Sequence, residues 1–393
     1  MIERYLGNKN ELIEPILEEI EEKIGASGTV GDLMAGSLSV SMALKREGYS
    51  VVMNDINEFS LLLGRAFIEP DKLPDLSAVL SEIGEESGGG TEDLRKVLDH
   101  LQNTDEGPGP GHSFYRECYA PGGSRARGTN RRGKEFERRY FTEENASRID
   151  RVLWCIRRWY QGGILSDHGA DVLLAFTMRA VEKRANTQGT FHECILTGWD
   201  DRAKMPFQFE LPSEELLQTL RKGGSHSIGN GVPSEEYAAE APHMDLLYLD
   251  PPYNSRQYSD YYFMLNQIAR HHKIEDLERF FDDIEYQRGQ NMNTSVKSDL
   301  SRKGRFLDTL GLIIENADCD WVLLSYNNGA NHWGSFKEGT SEQALTAIRD
   351  WMTEQDYLDA GTVGVRRELR TNYQSRGEKG MGTTEYLISV RKS

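Results

Sequence analysis

Apolar residues at Leu12, Ile13, Ile16, Leu17, Ile20 and Ile24 recur at helical spacing with acids between them, which predicts an amphipathic helix whose acidic side faces water. Thr29-Val30-Gly31-Asp32-Leu33 then reads as a short buried strand, Ser39 to Glu47 as a helix, and Ser50-Val51-Val52-Met53 as a second strand. A strand, helix, strand unit with such tight connections predicts a parallel pair and a right-handed crossover. The pattern changes after residue 68. Between 69 and 243 the chain carries breaks at Gly88-Gly89-Gly90 and Gly107-Pro108-Gly109-Pro110-Gly111, a polar stretch over 223–233, and helical patterns over 146–160 and 170–183. From Met244 the strand pattern resumes with Asp245-Leu246-Leu247-Tyr248-Leu249, followed by helical patterns over 261–271 and 306–315. Trp321-Val322-Leu323-Leu324-Ser325 is a further buried strand, and a helix over 341–353 precedes β-rich segments at 362–369 and 385–390 that suit a closing hairpin. The expected architecture is α/β: an open, mostly parallel Rossmann-like sheet built from 1–68 plus 244–393, interrupted by a largely helical domain at 69–243. No internal repeat is visible.

Composition narrows the class. The 393 residues hold 46 Lys+Arg against 63 Asp+Glu, a net charge of −17, which excludes a uniformly basic nucleic-acid binder. With 38% hydrophobic and 28% charged residues, the chain is globular rather than collagen-like, mucin-like or disordered. Its apolar runs are a few residues long against the ~20 that a membrane helix needs. The opening Met1-Ile2-Glu3-Arg4-Tyr5 has no secretory character, so a cytoplasmic protein without a membrane partner is expected. Cysteines at 118, 155, 194 and 319 form no C-x-x-C pair, and His192-Glu193-Cys194 suits ordinary packing, so no metal is expected.

Three segments carry chemistry. Asp32-Leu33-Met34-Ala35-Gly36-Ser37 lies between a strand and a helix, where small residues let a ligand approach backbone amides and the helix N-terminus. The same turn also forms for purely steric reasons. Asn54-Asp55-Ile56 places an acid at the end of the next strand, where a carboxylate can accept from both hydroxyls of a ribose or, alternatively, cap a helix. Asp250-Pro251-Pro252-Tyr253 follows an apolar strand. Two prolines fix two φ angles and remove two donors, leaving a stiff bracket with free carbonyls. The carboxylate and a proline carbonyl can accept from an exocyclic amine while Tyr253 stacks on the ring that bears it.

In these segments the chain resembles the S-adenosylmethionine-dependent, adenine-specific (N6) DNA methyltransferases of restriction-modification type, which carry a cofactor motif, a recognition insertion and D-P-P-Y in that order. Arg4-Tyr5-Leu6-Gly7-Asn8-Lys9 is similar to the family's Y-x-G-x-K segment, residues 32–40 to its D-x-F-x-G-x-G-x-V loop, and 250–258 to its extended catalytic segment. Tyr140-Phe141-Thr142 with Asn145, residues 186–190 and Ser325-Tyr326-Asn327 add to the likeness. Position by position, the resemblance implies that Tyr5 and Lys9 border the methionine part of the cofactor. Asp32, Ala35 and Gly36 would lie beneath it, Asp55 would hold its ribose, and Ile56 would face its adenine. Asp250 and Pro251 would bind the target amine, with Pro252 completing the bracket and Tyr253 on the flipped base. Met34 and Leu38 stand where the family has Phe and a second Gly, and a branched side chain at a glycine position demands a special backbone angle or crowds the cofactor. The family's acid for the cofactor's adenine amine has no counterpart in Gly229-Asn230-Gly231-Val232.

The resemblance makes duplex DNA the substrate, with a cognate restriction endonuclease as a candidate partner. Between Arg116 and Arg139 eight basic residues face three acids, a local charge of +5 against −22 elsewhere. With its glycines, this segment is expected to be a mobile basic loop along phosphates, with Arg125, Arg127, Arg131 and Arg132 as contacts and Arg256 and Tyr258 on the strand beside the flipped base. Competing readings are methylation of RNA or of a protein amide by the same bracket, and a catalytically weak DNA-binding relative.

Overall fold

The computed structural model describes residues 2, 4–109, 112–129, 133, 135–284, 288–328, 331–333, 342–371 and 382–393. Two compact units account for them. One gathers Leu6–Gly64, Lys222–Gln257 and Lys297–Ser393; the other gathers Met1–Tyr5, Arg65–Arg221 and Tyr258–Val296.

The first unit is built on a seven-stranded sheet of β1 (Thr29–Asp32), β2 (Ser50–Met53), β3 (Ser227–Ile228), β4 (Met244–Leu249), β5 (Cys319–Asn327), β6 (Leu358–Thr371) and β7 (Gly382–Lys392). Their order across the sheet is β3-β2-β1-β4-β5-β7-β6. All neighbours are parallel except β7, which runs antiparallel to both β5 and β6. This is the expected open, mostly parallel α/β sheet with a closing hairpin. Continuous apolar runs make the central strands because helices cover both faces of a parallel sheet. Leu247, Leu249, Val322, Leu324, Ile388 and Val390 are buried in one cluster with Phe306, Leu310 and Ile313 of the helix Phe306–Asn316 and Ile348 and Met352 of the helix Gln343–Glu354. Gly31 in β1 leaves room for a close neighbour: a Cβ there would come within 2.1 Å of the Met244 sulfur, so that side chain would have to move.

The strand order reverses between β1 and β4, so their carboxyl ends diverge into the crevice where open α/β sheets bind ligands. Three of the segments singled out from the sequence leave the sheet at this end: Asp32 ends β1, Asn54-Asp55 follows β2, and Asp250 follows β4.

The second unit is mainly helical. Its core helices, Glu143–Gln161 and Asp167–Arg184, start at Thr142 and Ser166, whose hydroxyls accept from Asn145 N–H at 3.2 Å and Gly169 N–H at 3.1 Å. Around them Tyr115, Tyr119, Tyr140, Phe141 and Trp159 are fully buried. The expected single helix over 261–271 is instead Tyr258–Tyr261 followed by Phe263–Arg270. The Tyr261 carbonyl accepts from Phe191 N–H at 2.9 Å, at the point where the two helices meet. No helix among the described residues is long and apolar enough to cross a membrane.

Candidate active site

The turn after β1 is held by its own backbone. Gly36 has φ +53° and Leu38 has φ +65°, the latter being the single non-glycine positive φ among the described residues. Leu38 therefore adopts the left-handed angle that a glycine would take freely, and its side chain is completely buried. Ala35 and Gly36 are buried beside it. Asp32 accepts from the Ser41 hydroxyl at 2.6 Å, and Asp55 accepts from Gly36 N–H at 2.8 Å, which ties the ends of β1 and β2 together. The other oxygen of Asp55 takes the backbone and side-chain N–H of Asn57 at 2.8 and 2.9 Å, so the carboxylate also organises the start of the helix Glu58–Phe67. Ile56 between them is half-buried.

Beside Asp55 stands a loop whose role the sequence concealed. Gly229 N–H donates to the Met53 carbonyl at 2.7 Å, and Asn54 grips the loop from both sides, accepting from Gly231 N–H at 3.3 Å and donating to the Val232 carbonyl at 3.0 Å. Gly231 has φ +83°, and a Cβ there would meet Leu61 at 2.8 Å. Ser234 completes the junction by donating to the Leu33 carbonyl at 2.7 Å.

Burial pushes the Asp32 carboxyl up to about 7, and the nearby charges of Asp250 and Asp55 add to the rise. Burial likewise raises Asp55, opposed by its hydrogen bonds from Gly36 and Asn57. Three carboxyl groups at the ends of three strands make the crevice a place suited to a cationic ligand.

In the bracket, Pro251 is buried while Pro252 and Tyr253 are half-buried, Tyr253 packing against the cluster that contains Phe306 and Tyr326. Asp250 remains 21% exposed and lies 2.7 Å from the Lys9 ammonium. Lys9, only 2% exposed, also approaches Glu385 at 3.3 Å. Glu385, on β7, is fully buried; it accepts from the Ser325 hydroxyl at 2.8 Å and the Asn327 amide at 2.9 Å. No sequence pattern marks Glu385, because an acid near the end of a hairpin strand ordinarily faces solvent. Ser325 and Asn327 stand out in the sequence only through the family resemblance. Beyond the bracket, Arg256 is exposed, its carbonyl accepts from the Ser301 hydroxyl at 2.9 Å, and its N–H donates to Asn254 at 3.1 Å.

In the second unit Tyr5 is buried, stacked on Tyr262 at 4.6 Å and tilted against Tyr258 at 5.8 Å. Among the described residues of the basic segment, Phe114–Tyr119 is helical and Arg127–Thr129 pairs antiparallel with Glu135–Glu137. Its charge is also partly committed. Arg116 pairs with Glu143 at 2.5 Å, Arg125 with Asp282 at 2.9 Å, and Arg138 is buried, donating to the Arg125 carbonyl at 2.8 Å. Arg139 lies over the Trp199 ring at 5.0 Å. Arg127 is exposed, whereas Arg131 and Arg132 lie outside the described residues.

Comparison with known proteins bears on what this arrangement does. A family model described as D12 class N6 adenine-specific DNA methyltransferase matches residues 5–310. The chain is 26% identical over 394 residues to the modification methylase StsI of Streptococcus sanguinis, a match covering 99% of this chain and 52% of that protein. It is 30% identical over 329 residues to the type II methyltransferase M.FokI of Planomicrobium okeanokoites, covering 83% of this chain and 44% of that one. With the type II methyltransferase M.NlaIII of Neisseria lactamica it shares 25% identity over 398 residues, 99% of either chain. The chain thus spans about half the length of the first two relatives and nearly all of the third.

Proposed function

The chain belongs to the D12 class N6 adenine-specific DNA methyltransferases, and on that footing we propose that it transfers a methyl group from S-adenosylmethionine to the N6 amine of an adenine flipped out of duplex DNA, as the modification enzyme of a restriction-modification system in the cytoplasm. The observation that carries this reading is the position of Asp250-Pro251-Pro252-Tyr253 at the carboxyl end of β4, immediately across the strand-order reversal from the Gly36 turn.

The crevice suits the methyl donor chemically. S-adenosylmethionine, when bound, supplies a methyl group on a sulfonium centre and brings a second positive charge on its ammonium, both of which the acidic strand ends favour. Asp32, Ala35 and Gly36 would hold it from below, with Lys9 and Tyr5 toward its methionine part and Ile56 toward its adenine. Asp55 is fixed by three hydrogen bonds, which leave a lone pair on the oxygen facing Gly36 for a ribose hydroxyl.

The bracket prepares the nucleophile. An aromatic amine is a weak nucleophile because its lone pair is delocalised into the ring. When its two N–H groups donate to the Asp250 carboxylate and the Pro251 carbonyl, the nitrogen gains tetrahedral character and its lone pair is withdrawn from the ring and made available for alkylation. A bound S-adenosylmethionine would supply the methyl group and leave as the neutral thioether, and the proton that the alkylated amine must shed would pass by way of the Asp250 carboxylate that holds its N–H. Tyr253 stacks on the base, and the stiffness of the two prolines keeps the acceptors in place, so acceleration comes from positioning and electrostatics. Extrusion of the base costs a few kcal/mol, which the stacked pocket offsets. The unit containing Arg65–Arg221 is assigned to DNA recognition, with Arg125, Arg127, Arg131, Arg132 and Tyr258 toward the duplex; Arg256, which belongs to the sheet unit, is assigned the same role.

Radiolabelled methyl transfer tested on duplex DNA, RNA and protein, followed by sequencing of the DNA for modified bases, is expected to give N6-methyladenine at one sequence. Label in RNA or protein alone would reassign the substrate. Asp250→Ala is expected to lower transfer by at least roughly 10²-fold while S-adenosylmethionine still binds; equal loss of both would make the bracket structural.

A further inference from the structure

Given the amine-binding role of Asp250 just proposed, the contact with Lys9 puts a second, charged donor on the carboxylate that must hold the amine. The oxygen that receives the ammonium, at 2.7 Å, belongs to the carboxylate that must accept from the incoming amine. The ammonium cannot be withdrawn into an apolar interior without an alternative anion, because a buried unpaired charge is strongly disfavoured. That anion is already in place: Glu385 lies 3.3 Å from the same nitrogen, and it is immobilised by Ser325 and Asn327. Both donors sit on β5, and the register Asn327↔Glu385 of the antiparallel β5 and β7 pair fixes the carboxylate at that height. A fully buried carboxylate with only neutral donors would be costly, so Lys9 and Glu385 justify each other's burial.

We propose that Glu385 is a positioning residue which serves as the reserve acceptor for Lys9. Before the target amine arrives the ammonium occupies Asp250 and holds its carboxylate in orientation. When the target amine arrives, the ammonium shifts its hydrogen bond from Asp250 to Glu385, and the carboxylate receives the amine without leaving a charge unpaired. No bond other than hydrogen bonds changes in this exchange.

The test uses the full chain and single-turnover methyl transfer to duplex DNA, with equilibrium binding of S-adenosylmethionine and of DNA measured in parallel. Glu385→Gln keeps the shape and removes the anion; with its carbonyl toward the Asn327 amide, its NH2 donates to the Ser325 hydroxyl, which turns to accept. It is expected to lower the transfer rate by roughly 10- to 100-fold with both binding constants near wild type. Lys9→Met is expected to lower the rate too, and adding Glu385→Gln to it should cost nothing more, since Glu385 acts through Lys9. An unimpaired Glu385→Gln enzyme, or rate losses that multiply in the double variant, would overturn the proposal. Should Glu385→Gln fail to fold, Ser325→Ala loosens the same carboxylate while keeping its charge and should give a smaller drop in rate at unchanged binding; no drop there would also overturn it. A wild-type protein that methylates no nucleic acid would instead overturn the functional reading and this inference with it.

Discussion

Leu38 and Asp32 show how single residues set the terms of the crevice. Leu38 adopts φ +65° with a buried side chain, so it combines a backbone cost of about 1–2 kcal/mol with a packing gain larger than that. Truncation to alanine removes the packing and keeps the backbone cost, whereas truncation to glycine removes both. Leu38→Gly is therefore expected to be more stable than Leu38→Ala by about 1 kcal/mol, the reverse of their usual order, in urea unfolding at constant m; alanine above glycine would mean that the turn relaxes. The elevated Asp32 carboxyl has a different consequence. The folded state keeps its proton up to about 7 while the unfolded chain loses it near the ordinary 3.8, so stability from this group is fully present below that lower value and is lost as pH rises to about 7. A cation in the crevice favours the ionised form. S-adenosylmethionine should accordingly bind more tightly at pH 8 than at pH 6, and Asp32→Asn should flatten that dependence in titration calorimetry. The same slope in both proteins would show that the ligand does not sense Asp32.

At the level of elements, the helix Phe114–Tyr119 depends on a residue from another helix. Asp150 accepts from Tyr115 N–H at 2.8 Å and Arg116 N–H at 2.9 Å, donors that a short helix leaves unpaired at its start. Burial lifts this carboxyl to about 8, against the lowering effect of those bonds. Stability from Asp150 is thus present in acid and fades as pH rises toward 8, and Asp150→Asn is expected to cost about 1–3 kcal/mol at pH 5 and less at pH 8 in thermal unfolding. An equal loss at both would place its effect elsewhere. The elements most legible in the sequence were those with a local cause. Ser39–Glu47 and Ser50–Met53 begin and end where their apolar spacing does, and β4 declares itself by an unbroken apolar run. Ser227–Ile228 was invisible inside a polar stretch because a two-residue strand is defined by its pairing with β2 and not by its composition. The same holds for the site. Asp32, Asp55 and the Asp250 bracket stand at strand ends that the pattern locates, whereas the roles of Asn54 and Glu385 come from partners at least 177 and 58 residues distant in the chain.

For the whole molecule, a net charge of −17 sets DNA binding against a repulsive background, so attraction must come from local basic groups. Arg116, Arg125 and Arg138 are partly spent on internal partners, which throws weight on Arg127, Arg131 and Arg132. Replacing those three with alanine is expected to shrink the slope of log affinity against log salt by about 0.9 for every phosphate that is no longer neutralised, leaving S-adenosylmethionine binding intact. An unchanged slope in filter binding would remove the segment from the DNA interface. Finally, Lys9, Asp250 and Glu385 are contributed by opposite ends of the chain and its middle, so their meeting depends on β7 being in place. A nascent polypeptide on the ribosome, with residue 385 still untranslated, has Lys9 and Asp250 but lacks the third charge, and so the proposed transfer stays slow until synthesis has passed that strand.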